Sequence, residues 1–204
     1  FSRHILRKSK ACLVIMAKEP LPGKVKTRLA SEIGSTAATW WFRHQLKKTI
    51  RTLSDQRWDI IVSLSPDFFV KRSKFWPSNV KCIPQGSGDL GQKMRNIFKL
   101  FFNRPVCIIG GDIPGITRLE VSKAFKKLAA KKFVVGPAED GGFWLIGHQG
   151  KAPTKLFDGV RWSSPWAYLD TIETFEGRSF SSLSKLRDVD SLLDLEALKV
   201  KHHN

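Results

Sequence analysis

The chain has 204 residues, 42% of them hydrophobic and 26% charged, which is ordinary for a soluble globular protein and excludes a disordered, collagen-like or disulfide-scaffold chain. Lysine and arginine number 35 against 18 acids, a formal net charge of +17; such a balance favours polyanions, whether nucleic acid, anionic lipid or phosphorylated substrates. No apolar run approaches the roughly 20 residues of a membrane span, and no cleavable signal pattern opens the chain.

In chain order, residues 11–17 are a continuous apolar run, the pattern of a buried strand. A basic loop rich in proline and glycine follows over 18–28. Residues 36–53 place Trp40, Trp41, Leu46, Ile50 and Leu53 at helical spacing, with Arg43, Lys47, Lys48 and Arg51 outside. Strands are predicted over 59–64 and 80–84. A helix over 90–102 carries Met94, Ile97, Phe98 and Phe101 on one face. Another buried strand, 106–109, runs into Gly110-Gly111-Asp112-Ile113-Pro114. Thr117 and Glu120 have capping-box spacing, so a helix opens there and extends to about residue 130. Strands over 133–135 and 143–146 flank Gly136-Pro137-Ala138-Glu139-Asp140-Gly141-Gly142. A helix over 165–175 stops at Gly177, and a last one over 191–200 follows Asp188-Val189-Asp190. The three cysteines, Cys12, Cys82 and Cys107, each stand alone in an apolar stretch, the pattern of reduced core thiols in a cytoplasmic protein.

Strands separated by helices predict a mostly parallel sheet with right-handed crossovers, in a single α/β domain over 1–204. In such sheets ligands lie outside the carboxyl ends of the strands, so the loops after strands carry the information. The first runs from Ala17 and Lys18 through Pro22, Gly23, Lys24 and Lys26 to Arg28. Its cations and backbone amides suit a nucleotide diphosphate, although the Gly-Lys-Ser/Thr ending of a Walker loop is missing; a solvated basic turn is the alternative. The second places Asp112 after a buried strand and beside Gly110 and Gly111. A carboxylate there suits Mg²⁺ or Mn²⁺ together with phosphate oxygens, or it caps a turn. In the third, Glu139 and Asp140 suit sugar hydroxyls, a metal or general-base work, while Asp140-Gly141-Gly142 is equally a hairpin turn. Asp89 reads as a helix N-cap. Trp162 and Trp166 suit stacking on a sugar or base, or core packing. His202 and His203 have no evident partners.

Taken in order, the strings Met16–Leu29, Gly88–Met94, Ile109–Pro114 and Gly136–Gly147, with Asp188-Val189-Asp190 and Asp194-Leu195, resemble the selenodomain-associated transferase (glycosyltransferase-like) group of the nucleotide-diphospho-sugar transferase superfamily. The resemblance spans about residues 11–198, and its motifs are specific for the family rather than for a substrate. Members are bacterial and similar to guanylyltransferases that make molybdenum and deazaflavin cofactors. The resemblance implies a GT-A fold with a Rossmann-like sheet. It places Lys18, Lys24, Lys26 and Arg28 in a nucleotide-phosphate loop and Asp112 on the metal-binding acid. Glu139, Asp140 and Gly141 fall on the loop facing the sugar or acceptor, with Gly142 beside them. Gly111 stands where the family usually has Ser, and Phe143-Trp144 where it often has Tyr-Tyr.

The expectation is a metal-dependent glycosyltransferase-like enzyme that uses a nucleoside diphosphate sugar and a small-molecule acceptor. Asp112, Glu139 and Asp140 form the expected catalytic set, with Trp162 at the substrate. Two alternatives stand beside it: a nucleotidyltransferase moving a nucleoside monophosphate from a triphosphate to a small phosphorylated acceptor, and a non-catalytic protein binding polyanions such as nucleic acid.

Overall fold

The computed structural model describes residues 10–111 and 113–186; Asp112, Asp188, Asp190, the 191–200 helix and the terminal histidines lie outside them. Seven strands form one sheet: β1 (Ala11–Lys18), β2 (Trp58–Ser65), β3 (Lys81–Pro84), β4 (Val106–Gly110), β5 (Phe133–Pro137), β6 (Phe143–His148) and β7 (Phe180–Ser182). The helices are α1 (Thr27–Ile33), α2 (Ser35–Leu53), α3 (Leu90–Leu100), α4 (Arg118–Leu128) and α5 (Ala167–Glu173). The strand order is β3-β2-β1-β4-β6-β5-β7. All neighbours are parallel except where β6 pairs antiparallel with β4 and β5.

Alternation along the strands explains the layering. On β1, Leu13, Ile15 and Ala17 face one side and Cys12 and Val14 the other; Cys107 and Ile109 on β4 oppose Val106 and Ile108 in the same way. The first set packs under α2 and α4, through Phe42, Leu46, Ile50, Val121 and Ala124. The second packs under α3 and the 156–175 segment, through Met94, Ile97, Phe98, Leu156 and Phe175. With both faces covered, β1 through Ala17 and β4 are apolar throughout, which is why they read as continuous runs rather than alternating ones.

Three elements differ from expectation. On α2 the buried stripe is Ala38, Phe42, Leu46, Ile50 and Leu53, and Trp40 is 72% exposed. Trp40 sits six residues before Leu46, about 120° away from it around the helix, so Phe42 fills the place expected of the tryptophan. The end of the basic loop is helical: α1 starts at Thr27, behind Lys26 in the left-handed conformation. β7 is a three-residue edge strand, Phe-Ser-Ser, with too little apolar pattern to stand out in the sequence. Both predicted caps are present. Asp89 and Gln92 form a reciprocal capping box on α3, and Thr117 accepts a hydrogen bond from the Glu120 amide.

The chain order makes β1 and β4 a topological switch point. From β1 the chain moves outward to β2 and β3, then returns to lay β4 on the opposite side of β1. Because β6 runs antiparallel to its neighbours, the β5–β6 turn lies at the same sheet edge as the carboxyl ends of β1 and β4.

Candidate functional site

A cleft of about 370 Å³ opens at the carboxyl ends of β1 and β4, lined by the end of β1, the basic loop, Phe42, Gln85, Leu90 and Gly111. This is where an open α/β sheet parts to admit a ligand. Six of the eight predicted nucleotide-binding residues come together here: Ala17, Lys18, Lys24, Lys26, Arg28 and Gly111. Pro22 and Gly23 do not line it; they sit in the turn closed by the Lys24 amide donating to the Leu21 carbonyl at 3.1 Å.

Each wall has a physical cause. Gly111 donates its amide to the Met16 carbonyl at 3.1 Å, and a side chain added there would meet Leu46 Cδ2 at 2.7 Å. The ends of β1 and β4 and the flank of α2 converge on that point, and any side chain there would require Leu46 to shift. In the loop, Val25 is buried and anchors the backbone in the core. Lys26 adopts φ 48°, ψ 49°, a conformation that costs a non-glycine residue about 1 kcal/mol or more. The strain turns the chain so that Lys24, Lys26 and Arg28 reach one cleft with Lys18. Lys18 and Lys24 are exposed.

Two residues that sequence reasoning did not assign hold this region together. Glu19, only 6% exposed, accepts hydrogen bonds from Ser73 Oγ at 2.6 Å and Trp76 Nε1 at 3.0 Å, while its amide donates to the Ser65 carbonyl. It pins the start of the loop to the 66–80 segment. Gln85 follows β3 directly. Its Nε2 donates to the Ala17 carbonyl at 3.2 Å and to the Ser63 carbonyl at 2.9 Å, joining the ends of β1 and β2 at the cleft wall. A buried acid among basic residues, and a polar side chain just beyond a strand and before Gly86-Ser87-Gly88, were the available signals.

The acidic turn lies apart. Glu139 and Asp140 are exposed at the β5–β6 turn and do not line the cleft. Asp140 Oδ1 accepts from the Gly142 amide at 2.9 Å, so the predicted hairpin is present. From β1 to β6 is two strand spacings, about 10 Å. Gly141 has φ +87° and rests on the backbone of Pro165, and its carbonyl accepts from the Tyr168 amide at 2.9 Å. Gly141 and Gly142 line a second, smaller cleft of about 250 Å³ with Pro137, Pro165, Tyr168 and Lys185. Trp162 is half-buried against Phe143 and Phe157, at ring-centroid distances of 6.3 and 6.0 Å. Trp166 is exposed, with the Arg161 guanidinium 5.2 Å from its ring.

Among the described residues no three His, Cys, Asp or Glu side chains converge as a metal-ion cage. The charged side chains that line the larger cleft are ammonium and guanidinium groups, a donor set that suits phosphate and does not fit a dication by itself. Asp112 lies outside the described residues. The cysteines are free; burial pushes the Cys12 thiol up to about 12, against a smaller opposing pull from Arg104. Among the described residues no helix is long and apolar enough to cross a membrane.

Residues 49–164 match the model of a family described as an uncharacterized protein conserved in bacteria, DUF2064. The chain belongs to that family. The matched span takes in Gln85, Gly111 and the acidic turn and begins after the basic loop. No curated protein matches the chain. Among solved structures, a candidate nucleotide-diphospho-sugar transferase from Desulfovibrio desulfuricans G20 superposes with a TM-score of 0.89 at 29% identity, covering 96% of this chain and 89% of that one. A CMP:2-keto-3-deoxy-manno-octonic acid synthetase complexed with CTP gives 0.57 at 14%, covering 96% and 99%. Rv0371c of Mycobacterium tuberculosis H37Rv, in complex with manganese, gives 0.55 at 14%, covering 93% and 98%. The fold is that of the nucleotide-diphospho-sugar transferases, a GT-A-like mixed α/β sheet.

Proposed function

We propose that the protein is a transferase that binds a nucleoside diphosphate sugar in the cleft between β1 and β4 and passes the sugar to a small-molecule acceptor. The observation that carries this reading is the convergence of Lys18, Lys24, Lys26 and Arg28 on one cleft at the switch point of the sheet. Negative charge grows on the departing diphosphate as the glycosidic bond breaks. Cations held in place by a strained backbone and a buried anchor stabilise that charge without reorganising. The solved structure at 29% identity, a candidate nucleotide-diphospho-sugar transferase, supports the same class. Within the superfamily we assign the chain to the selenodomain-associated group, in one domain and in the cytoplasm, which suits its free thiols.

Glu139 and Asp140 stand at the same sheet edge, where an acceptor extending from the cleft would meet them. We assign them to orienting, and in one case deprotonating, the acceptor hydroxyl. Asp112, next in the chain after Gly111, is the residue we assign to Mg²⁺ or Mn²⁺; bound there, the ion would supply further charge neutralisation to the phosphates. The manganese-bound Rv0371c supports that assignment by fold alone. A second reading, transfer of a nucleoside monophosphate from a triphosphate to a phosphorylated acceptor, draws on the CTP-bound synthetase of the same fold.

Calorimetric titration of the full chain with nucleoside diphosphates tests the common core of both readings. The double variant Lys24→Ala/Arg28→Ala should bind at least about tenfold more weakly than the parent, with a shallower dependence on salt. Equal affinity overturns the cleft assignment. Asp112→Asn should abolish any gain in affinity from added Mn²⁺. Pyrophosphate release from triphosphates, set against hydrolysis of nucleotide sugars, separates the two reactions.

A further inference from the structure

The edge of the sheet opposite the cleft carries charge and apolar surface that the nucleotide reading leaves unused. The parallel strands start there and β6 ends there. That side presents Lys81 at β3, Lys151 beyond β6, and Lys131 and Lys132 before β5, all exposed, along a sheet edge of about 29 Å. Lys99, also exposed, stands in the last turn of α3. Acids on this side are already engaged: Asp59 with Lys10 at 3.2 Å and Arg104 at 2.6 Å, Asp55 with Arg57 at 2.8 Å, and Glu176 with Arg178 at 2.7 Å. The five lysines have no acidic partner among the described residues. A helix carboxyl end favours a cation such as Lys99, but the other four lie outside helices. At the middle of this side, the turn from α3 into β4 holds two apolar side chains in water. Leu100 is 59% and Phe102 60% exposed, while Phe101 between them packs on the core. The turn is fixed from behind. The Arg104 amide donates to the Phe101 carbonyl at 3.1 Å, and Arg104 Nη2 to the Ala11 carbonyl at 2.8 Å.

We infer that this side docks on an anionic membrane surface, with Leu100 and Phe102 entering the headgroup layer and the flanking lysines meeting lipid phosphates. Charge complementarity and the apolar pair together select that occupant. A bilayer accepts an apolar tip and the cations around it in one contact, and each basic residue near an anionic bilayer strengthens binding about fivefold. A nucleic acid would use the lysines but gains nothing from an aliphatic side chain such as Leu100. The placement agrees with the fold. In strand order, β4 and its apolar turn lie between Lys81 on one side and Lys151, Lys132 and Lys131 on the other. β1 runs about 25 Å from this edge to the basic loop, so a docked chain keeps its cleft turned to water and open to soluble ligands. The docking does not depend on what the cleft binds.

The test is flotation of the full chain, without nucleotide, on vesicles of phosphatidylcholine alone and of phosphatidylcholine with about 30% phosphatidylglycerol. The parent should bind the anionic vesicles at least about tenfold more tightly. Leu100→Ser/Phe102→Ser should weaken that binding about tenfold and leave its salt dependence unchanged. Lys99→Gln/Lys151→Gln should weaken it by at least about tenfold with a shallower salt dependence. Lys24→Ala/Arg28→Ala removes the same charge from the opposite edge and should stay within about twofold of the parent. Hydrogen exchange of the parent on anionic vesicles should show new protection over 99–104 and none over 18–28, which decides the matter even if a variant does not fold. Equal binding to both vesicles, no loss in the Leu100/Phe102 variant, or protection over 18–28 instead overturns the docking. So does a single-stranded RNA oligonucleotide that binds more tightly than the vesicles and is weakened by the same lysine variant. None of these outcomes touches the nucleotide reading, which calorimetry tests separately.

Discussion

The loop after β1 and the turn after β5 end at the same sheet edge but are built by opposite means. The first is held by side chains. Glu19 ties it to Ser73 and Trp76, Val25 sinks into the core, Gln85 clasps the ends of β1 and β2, and Lys26 stays in a left-handed conformation that this scaffolding enforces. The second is held by backbone: Asp140 closes its own turn, Gly141 lies on Pro165, and the Gly141 carbonyl takes the Tyr168 amide. The contrast shows how one edge can carry two kinds of chemistry. Side-chain anchoring below the loop leaves Lys18 and Lys24 exposed at the cleft, whereas backbone bracing leaves the surface of the turn to two carboxylates.

The largest effect belongs to the backbone-braced turn. Gly141→Ala places a methyl on the Pro165 backbone and forces φ +87° on alanine, and should cost about 3 kcal/mol in chemical denaturation. Gly23 has φ +70° but open space around it, so Gly23→Ala should cost only about 1 kcal/mol. Equal costs for the two would break the comparison. The side-chain-held loop answers next. Glu19→Ala strips Ser73 and Trp76 of their acceptor and should cost about 2 kcal/mol by the same measurement. It should also weaken nucleoside diphosphate binding, although Glu19 does not line the cleft.

The smallest effect concerns a buried imidazole, away from the cleft at the end of β6. His148 stacks 4.3 Å from Phe133, with Nδ1 2.9 Å from the Lys132 carbonyl and Nε2 buried without a hydrogen-bond partner among the described residues. Burial lowers its pKa, outweighing the opposing pull of that carbonyl. Because the folded value lies below the unfolded one, the stability tied to neutral His148 is complete above its ordinary value of about 6.5 and is lost as pH falls through the folded value. His148→Phe should flatten the fall in melting temperature between about pH 6.5 and 5. An unchanged acid limb would show that the imidazole is not what titrates.

Much of the fold was legible because the central strands are covered on both faces and so appear as unbroken apolar runs. The caps at Asp89 and Thr117 were legible because capping uses a short local spacing. Trp40 was misread because helical spacing says which residues share a face and not which face meets the sheet. β7 and α1 escaped because each is short and gains its order from neighbours: β7 from pairing with β5, α1 from the anchored loop before it and α2 behind it.

For the site, the sequence alone established that cations, glycines and acids follow buried strands, since that is a matter of order along the chain. Which of them meet was decided by the strand order β3-β2-β1-β4-β6-β5-β7. It gathers Lys18, Lys24, Lys26, Arg28 and Gly111 around one cleft, sets Glu139 and Asp140 two strands away, and packs one side of Trp162 against Phe143 and Phe157. Gln85 is the clearest instance. A glutamine after a strand is unremarkable in sequence, and its role arises only when two carbonyls, 22 and 68 residues earlier in the chain, use up its donors. Hydrogen-bond direction is a property of neighbours in space, and tertiary structure supplies them.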